Sequence, residues 1–240
     1  MFFYLIFQKN NMILNVKFIF LIICLFTTHV HGQPMVITTT AQYEQSVNAS
    51  TKNKLIDLKK FIPSLLLELK YATKNNFTKQ KLYKKATTTY LRLDAALALL
   101  AIQKTLNEQG YGLKIFDAYR PYAVTKLMWD IIHDERYVAN PKNGSGHNKG
   151  TSVDLTIVKL SSNTELDMGT GFDNFTELAH HTYTPKLDAA VIFNRTLLKS
   201  TMEKFGFKSL ETEWWHYGWV GSEKFDVIDL SFKKLKCIVL

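Results

Sequence analysis

Two short stretches fix what this chain can become. The first, Ser145-Gly146-His147-Asn148-Lys149-Gly150-Thr151-Ser152-Val153-Asp154-Leu155-Thr156, sets a histidine and an aspartate seven residues apart with Gly150 between them. The second, Glu213-Trp214-Trp215-His216-Tyr217, lies far downstream. His147, Asp154 and His216 are two imidazoles and one carboxylate, a ligand set suited to a catalytic zinc ion with one coordination position left for water. An isolated His and Asp would more readily be a hydrogen-bonded ring and a capped turn. The His216 stretch changes that balance by adding a third ligand together with an acid. Glu213, three residues before His216, is the candidate general base. On a strand, residues three apart face opposite ways, so this role requires a loop or bulge before Trp214 to re-aim Glu213.

The N-terminus reads as a targeting segment. Lys9 and Lys17 precede the apolar run Phe18–Phe26, and Val30-His31-Gly32 offers small residues at the cleavage positions. This is the pattern of a secretory signal peptide over residues 1–32, and Met12 is an alternative start. Nine uninterrupted apolar residues fall short of the roughly 20 a spanning helix needs, so no stable membrane insertion is expected after cleavage. Cleavage removes Cys24 and two lysines, leaving Cys237 as the single cysteine and lowering the net charge from +9 to +7. The chain is then expected to rest on its core, without an internal disulfide, although the targeting pattern predicts export to a periplasmic or extracellular space. The lysines are scattered with short pairs such as Lys59-Lys60 and Lys233-Lys234, which describes a solvated surface and no nucleic-acid partner.

A chain of 240 residues with 46% hydrophobic content can bury one domain. Residues 33–54, rich in Thr, Ser, Gln and Asn, are expected to form a loose polar leader, with the folded domain over 55–240. The apolar run Phe61–Tyr71 fits strand or helix. Leu93–Gln109 is the clearest helix, followed by a strand over Tyr111–Tyr119 with Arg120 at its end. Pro121 suits the first turn of a helix reaching about His133. A polar loop over Tyr137–Lys149 carries His147, and a strand over Thr151–Leu160 carries Asp154. A second helix is expected over Lys186–Phe205 and a last aromatic strand over Trp214–Val220. The interleaving predicts an α+β fold: a small, mainly antiparallel sheet, helices packed on one face, and the zinc site at the sheet rim. Arg120 at a strand end can reach into a cleft and steady an oxyanion; otherwise it forms a surface salt bridge with Asp117 or Asp130.

Taken together, Asp117-Ala118-Tyr119-Arg120-Pro121, the Ser145–Asp154 stretch and Glu213–Tyr217 resemble the D-alanyl-D-alanine dipeptidases of the vancomycin-resistance (VanX) type. Lys70–Thr78 and Met168–Phe175, with His180-His181 following, resemble the same family, and the similarity spans about Leu69 to Tyr217. The zinc motifs alone are shared with D,D- and L,D-carboxypeptidases and hedgehog-like domains. The resemblance implies one Zn2+ per chain on His147, Asp154 and His216, Glu213 as base and Arg120 as transition-state stabiliser. It further implies that Ser145, Tyr71 and Asp173 hold a small dipeptide, Asp173 pairing with its free ammonium. Tyr83 falls near a second substrate-side tyrosine of the family, at a shorter spacing from Tyr71. His180 and His181 are expected to make structural hydrogen bonds.

The implied activity is zinc-dependent hydrolysis of D-Ala-D-Ala to two D-alanines in cell-wall peptide turnover. The alternatives are a zinc carboxypeptidase trimming peptidoglycan stem peptides, which needs an open cleft, and a non-catalytic zinc-binding domain, which needs neither Glu213 nor Arg120. Asn48, Asn76, Asn143, Asn174 and Asn194 begin Asn-x-Ser/Thr triplets. Glycans on Asn143 or Asn174 would obstruct the expected site, which favours a bacterial setting.

Overall fold

The computed structural model describes residues 34–84 and 86–239, so the expected signal peptide lies outside the described residues. In chain order the elements are β1 (Val36–Ile37), α1 (Thr40–Ala49), β2 (Leu55–Asp57), α2 (Leu58–Phe61), β3 (Leu66–Leu67), β4 (Tyr90–Arg92), α3 (Leu93–Asn107) and β5 (Tyr111–Asp117). They continue with α4 (Tyr122–Ile131), α5 (Gly146–Lys149), β6 (Ser152–Lys159), α6 (Ala189–Lys204), β7 (Phe207–Leu210), β8 (Glu213–Trp219), β9 (Val227–Ile228) and α7 (Phe232–Ile238).

The main sheet runs β3-β5-β6-β8-β7, with one parallel pair, β3 and β5, and antiparallel pairing elsewhere. Register assigns the two faces. Leu113 and Ile115 on β5 lie beside Ile157 and Leu155 on β6, and Val153 lies beside Tyr217 on β8. These side chains share one core with Leu99 and Ile102 of α3 and Leu198 and Met202 of α6. Strand side chains alternate, so Asp154 and His216, one residue out of phase, turn to the opposite face. The antiparallel sheet with helices on one face is therefore the arrangement of α3 and α6. The other helices do not all join them: α4 and α7 help build a second core around Tyr71, Tyr83, Tyr90 and Tyr119.

Residues 36–54 are not a loose leader. Val36 and Ile37 pair in parallel with Val227 and Ile228, and α1 begins at a capping box in which Thr39 and Gln42 satisfy each other's backbone. Tyr43 is the buried residue of α1, and its hydroxyl accepts from the Leu55 amide at 2.8 Å. With one buried anchor, α1 shows little apolar periodicity; its cap and Tyr43 hold it. The Phe61–Tyr71 run divides between the end of α2, the short strand β3 and a 3-10 turn at Lys70–Ala72.

Candidate metal centre and active site

His147 sits on a one-turn helix, α5, and not on an irregular loop. Ser145 caps it, accepting from the His147 amide at 3.2 Å, while Asn148 Oδ1 accepts from the Ser145 amide at 3.0 Å. Asn148 Nδ2 donates to the Arg120 carbonyl at 2.9 Å and to Thr125 Oγ1 at 2.8 Å, tying the turn to α4. The turn ends at Gly150, whose φ of 70° is left-handed. A Cβ there would meet Leu55 Cδ2 at 2.7 Å, so both the conformation and the space require glycine.

Three donor atoms from α5, β6 and β8 converge. His147 Nε2 lies 3.2 Å from His216 Nδ1 and 3.3 Å from Asp154 Oδ1, and His216 Nδ1 lies 2.9 Å from Asp154 Oδ1. Ligands about 2.0–2.1 Å from a tetrahedral zinc stand roughly 3.3 Å from one another, so this triangle has the size a zinc ion needs. His147 Nδ1 is 2.7 Å from the Ala118 carbonyl, a bond that fixes the ring with Nε2 turned inward. Burial alone would raise the Asp154 carboxyl, but the two histidines outweigh it and hold it well below the usual carboxylate range. Burial lowers His216, leaving the ring neutral, the form that binds a metal.

Glu213 reaches the same point by an unexpected route. It is already on β8, and the bulge lies within the strand: Ser209 faces Tyr217, but the next residue, Leu210, faces Glu213. The irregularity between them breaks the strict alternation and puts Glu213 Oε2 4.0 Å from His216 Nδ1. Burial, then the charges of Asp154 and Asp173, push the Glu213 carboxyl well above its ordinary value.

Arg120 is buried, not a surface residue. Its Nε and Nη2 each lie 2.9 Å from Asp117 Oδ2, and Nη2 lies 3.8 Å from Asp154 Oδ2. Its guanidinium stacks 5.1 Å from the centre of the Tyr71 ring. Asp117 is the residue that sequence reasoning undervalued. It is fully buried, accepts from Tyr83 Oη at 2.7 Å, and aims Arg120. The Asp117–Arg120 spacing of three residues was the available signal. Tyr83 therefore braces Asp117 and does not line the cavity. Asp173 accepts from Tyr71 Oη at 3.0 Å through Oδ1, while its buried Oδ2 has no partner. Burial pushes its carboxyl up to about 7, against the Tyr71 hydrogen bond.

All eight residues expected from the sequence line one cavity of about 270 Å3. Phe77, Tyr137 and Phe175 line it too. Phe175 packs against Tyr137 and Phe77 with ring centres 4.8 Å and 5.3 Å apart. His180 and His181 lie elsewhere. The Nε2 atoms of both are buried without partners, so the structural hydrogen bonds expected of these side chains are not made there. Burial lowers His181 to about 4.

The family model for D-Ala-D-Ala dipeptidases, Peptidase M15, matches residues 51–233. A D-alanyl-D-alanine dipeptidase of Escherichia coli is 38% identical over 168 residues, covering 70% of this chain and 86% of the relative. One from Enterococcus faecalis is 31% identical over 185 residues, covering 69% and 91%. Among solved structures, a mutant of the vancomycin-resistance D,D-pentapeptidase VanY in complex with Zn(II) aligns at a TM-score of 0.38 and 17% identity, over 58% of this chain and 78% of that one.

Proposed function

The chain belongs to the Peptidase M15 family of D-Ala-D-Ala dipeptidases, and we propose on that footing that it hydrolyses D-Ala-D-Ala to two D-alanines at a zinc centre on His147, Asp154 and His216. The observation that carries the reading is the meeting, in one cavity, of a zinc-sized donor triangle, a buried acid, a buried guanidinium and an unpartnered carboxylate oxygen. A zinc ion bound there supplies Lewis acidity and brings the pKa of a water to about 7. Glu213 takes the proton of the attacking water and passes it to the leaving amine. Arg120, held by Asp117, turns its free donor edge to the oxyanion that develops on the scissile carbonyl. Asp173, steadied by Tyr71, receives the substrate's ammonium. Ser145 Oγ already caps α5, and its hydroxyl hydrogen remains to be donated to substrate.

The test is to incubate the zinc-loaded protein with D-Ala-D-Ala, L-Ala-L-Ala and a stem pentapeptide and to quantify free alanine. Release from D-Ala-D-Ala alone is the expected result. Preferential release from the pentapeptide replaces this reading with the carboxypeptidase. The proposal includes export, supported by the charged, apolar and small-residue pattern of residues 1–32. The dipeptide then comes from envelope material, and the N-terminus of the mature protein should be Gln33 or a residue close to it.

A further inference from the structure

Asp173 sits midway along the connection between β6 and α6, which carries a single short helical turn at Glu177–Ala179. Its φ of 60° is left-handed, a conformation that a residue other than glycine keeps where its surroundings impose it. Those surroundings include α6. Arg195, 5% exposed, directs its guanidinium into the connection. Nε donates to the Met168 carbonyl at 2.7 Å, Nη2 to the Leu178 carbonyl at 2.8 Å and Nη1 to the His180 carbonyl at 3.0 Å. Met168 precedes Asp173 by five residues and Leu178 follows it by five, so one side chain gathers both arms of the loop. Asn194 adds a bond to the Asp167 carbonyl at 2.8 Å. Gly169, at φ 78°, lies so close to α6 that a Cβ would come within 2.8 Å of Val191 Cγ1. From the other side Trp214, beside Glu213, donates to Thr170 Oγ1 at 2.8 Å. Burial works against the charge on Arg195, so an arginine is costly here unless its donors are used. A lysine, with one compact ammonium, cannot span three carbonyls in a fixed fork.

We propose that Arg195 is a positioning residue for the dipeptidase reaction: it clasps residue 168 to residues 178–180 and so holds Asp173 in place in the cavity wall. This rests on the reading of Asp173 as the ammonium partner. Affinity for the free amino group is thus set from a helix outside the active site.

Arg195→Met and Arg195→Lys, each zinc-loaded, are compared with the unaltered protein. Hydrogen exchange tests the clasp without substrate: amides 169–179 should exchange ~10-fold faster or more, while those of β6 and β8 keep their rates. In steady-state kinetics KM for D-Ala-D-Ala should rise ~10-fold, with kcat within about threefold and metal content unchanged. Turnover of N-acetyl-D-Ala-D-Ala, which cannot use Asp173, should not move. If Arg195→Met does not fold, Asn194→Ala loosens the same arm and should raise KM by about threefold. Unchanged exchange at 169–179 overturns the clasp, whatever the protein hydrolyses. Faster exchange with unchanged KM overturns the positioning role. An unaltered protein that leaves D-Ala-D-Ala intact overturns the dipeptidase reading and the positioning role with it, while the exchange data still decide the clasp.

Discussion

Glu213, a buried acid, and Asp173, a half-buried one, have different duties, and each can be tested alone. The Asp173 carboxyl, pushed up to about 7 by burial, must be ionised to receive an ammonium. Below pH 6, kcat/KM for D-Ala-D-Ala should therefore fall, and Asp173→Asn should make that fall less steep while leaving the part that belongs to Glu213, whose carboxylate is also needed. Linkage gives the opposite sign for stability. A carboxyl whose folded pKa lies above its unfolded value of about 3.9 favours the folded state fully below that value and loses this as pH rises through about 7. Asp173→Asn, which tolerates the left-handed backbone, should then raise stability by ~2 kcal/mol more at pH 8 than at pH 5, read from paired denaturation curves. Glu213→Gln should keep metal and fold and lose ~10²–10⁴-fold in turnover; near-normal turnover would remove it as the base. That His147, Asp154, His216, Glu213 and Arg120 meet in one cavity was legible because few residue types suit such a site and their spacing marks them. Asp117 was less so: a surface salt bridge and a buried orienting carboxylate look the same until the fold buries one of them.

At the scale of elements, the active site depends on three irregular features: the α5 turn, the β8 bulge and the connection bearing Asp173. Gly150→Ala places a Cβ against Leu55 in a left-handed backbone and should destabilise by more than ~1 kcal/mol. Because the same turn carries His147, zinc content should fall with it; unchanged zinc affinity would show the turn to be independent of Gly150. Sequence periodicity located α3, β5, β6 and α6 to within a few residues, since each presents a sustained apolar face. It missed α1, whose buried anchor is Tyr43, and it set the bulge before Trp214, although the irregularity lies between Glu213 and Tyr217. Such features are set by what the neighbouring strand does, and local composition does not record that.

For the whole molecule, the two ends of the described chain close over the site's supports. β1 pairs with β9, and buried Arg92 joins the Asn53, Lys149 and Asp226 carbonyls, linking the N-terminal segment, the His147 turn and the C-terminal region. No helix among the described residues is long and apolar enough to cross a membrane. A zinc ion held by three elements should stabilise them together: chelation should lower Tm by several degrees, and about one zinc per chain should restore it. The most direct test is the ratio of kcat/KM for D-Ala-D-Ala to that for N-acetyl-D-Ala-D-Ala, measured on zinc-loaded protein before and after Asp173→Asn. A half-made buried charge pair costs several kcal/mol, so the unaltered protein should prefer the free dipeptide by at least ~10²-fold, and the variant should narrow that gap. Equal rates on the two substrates, or a preference for the blocked one, would contradict a dipeptidase built around an ammonium anchor.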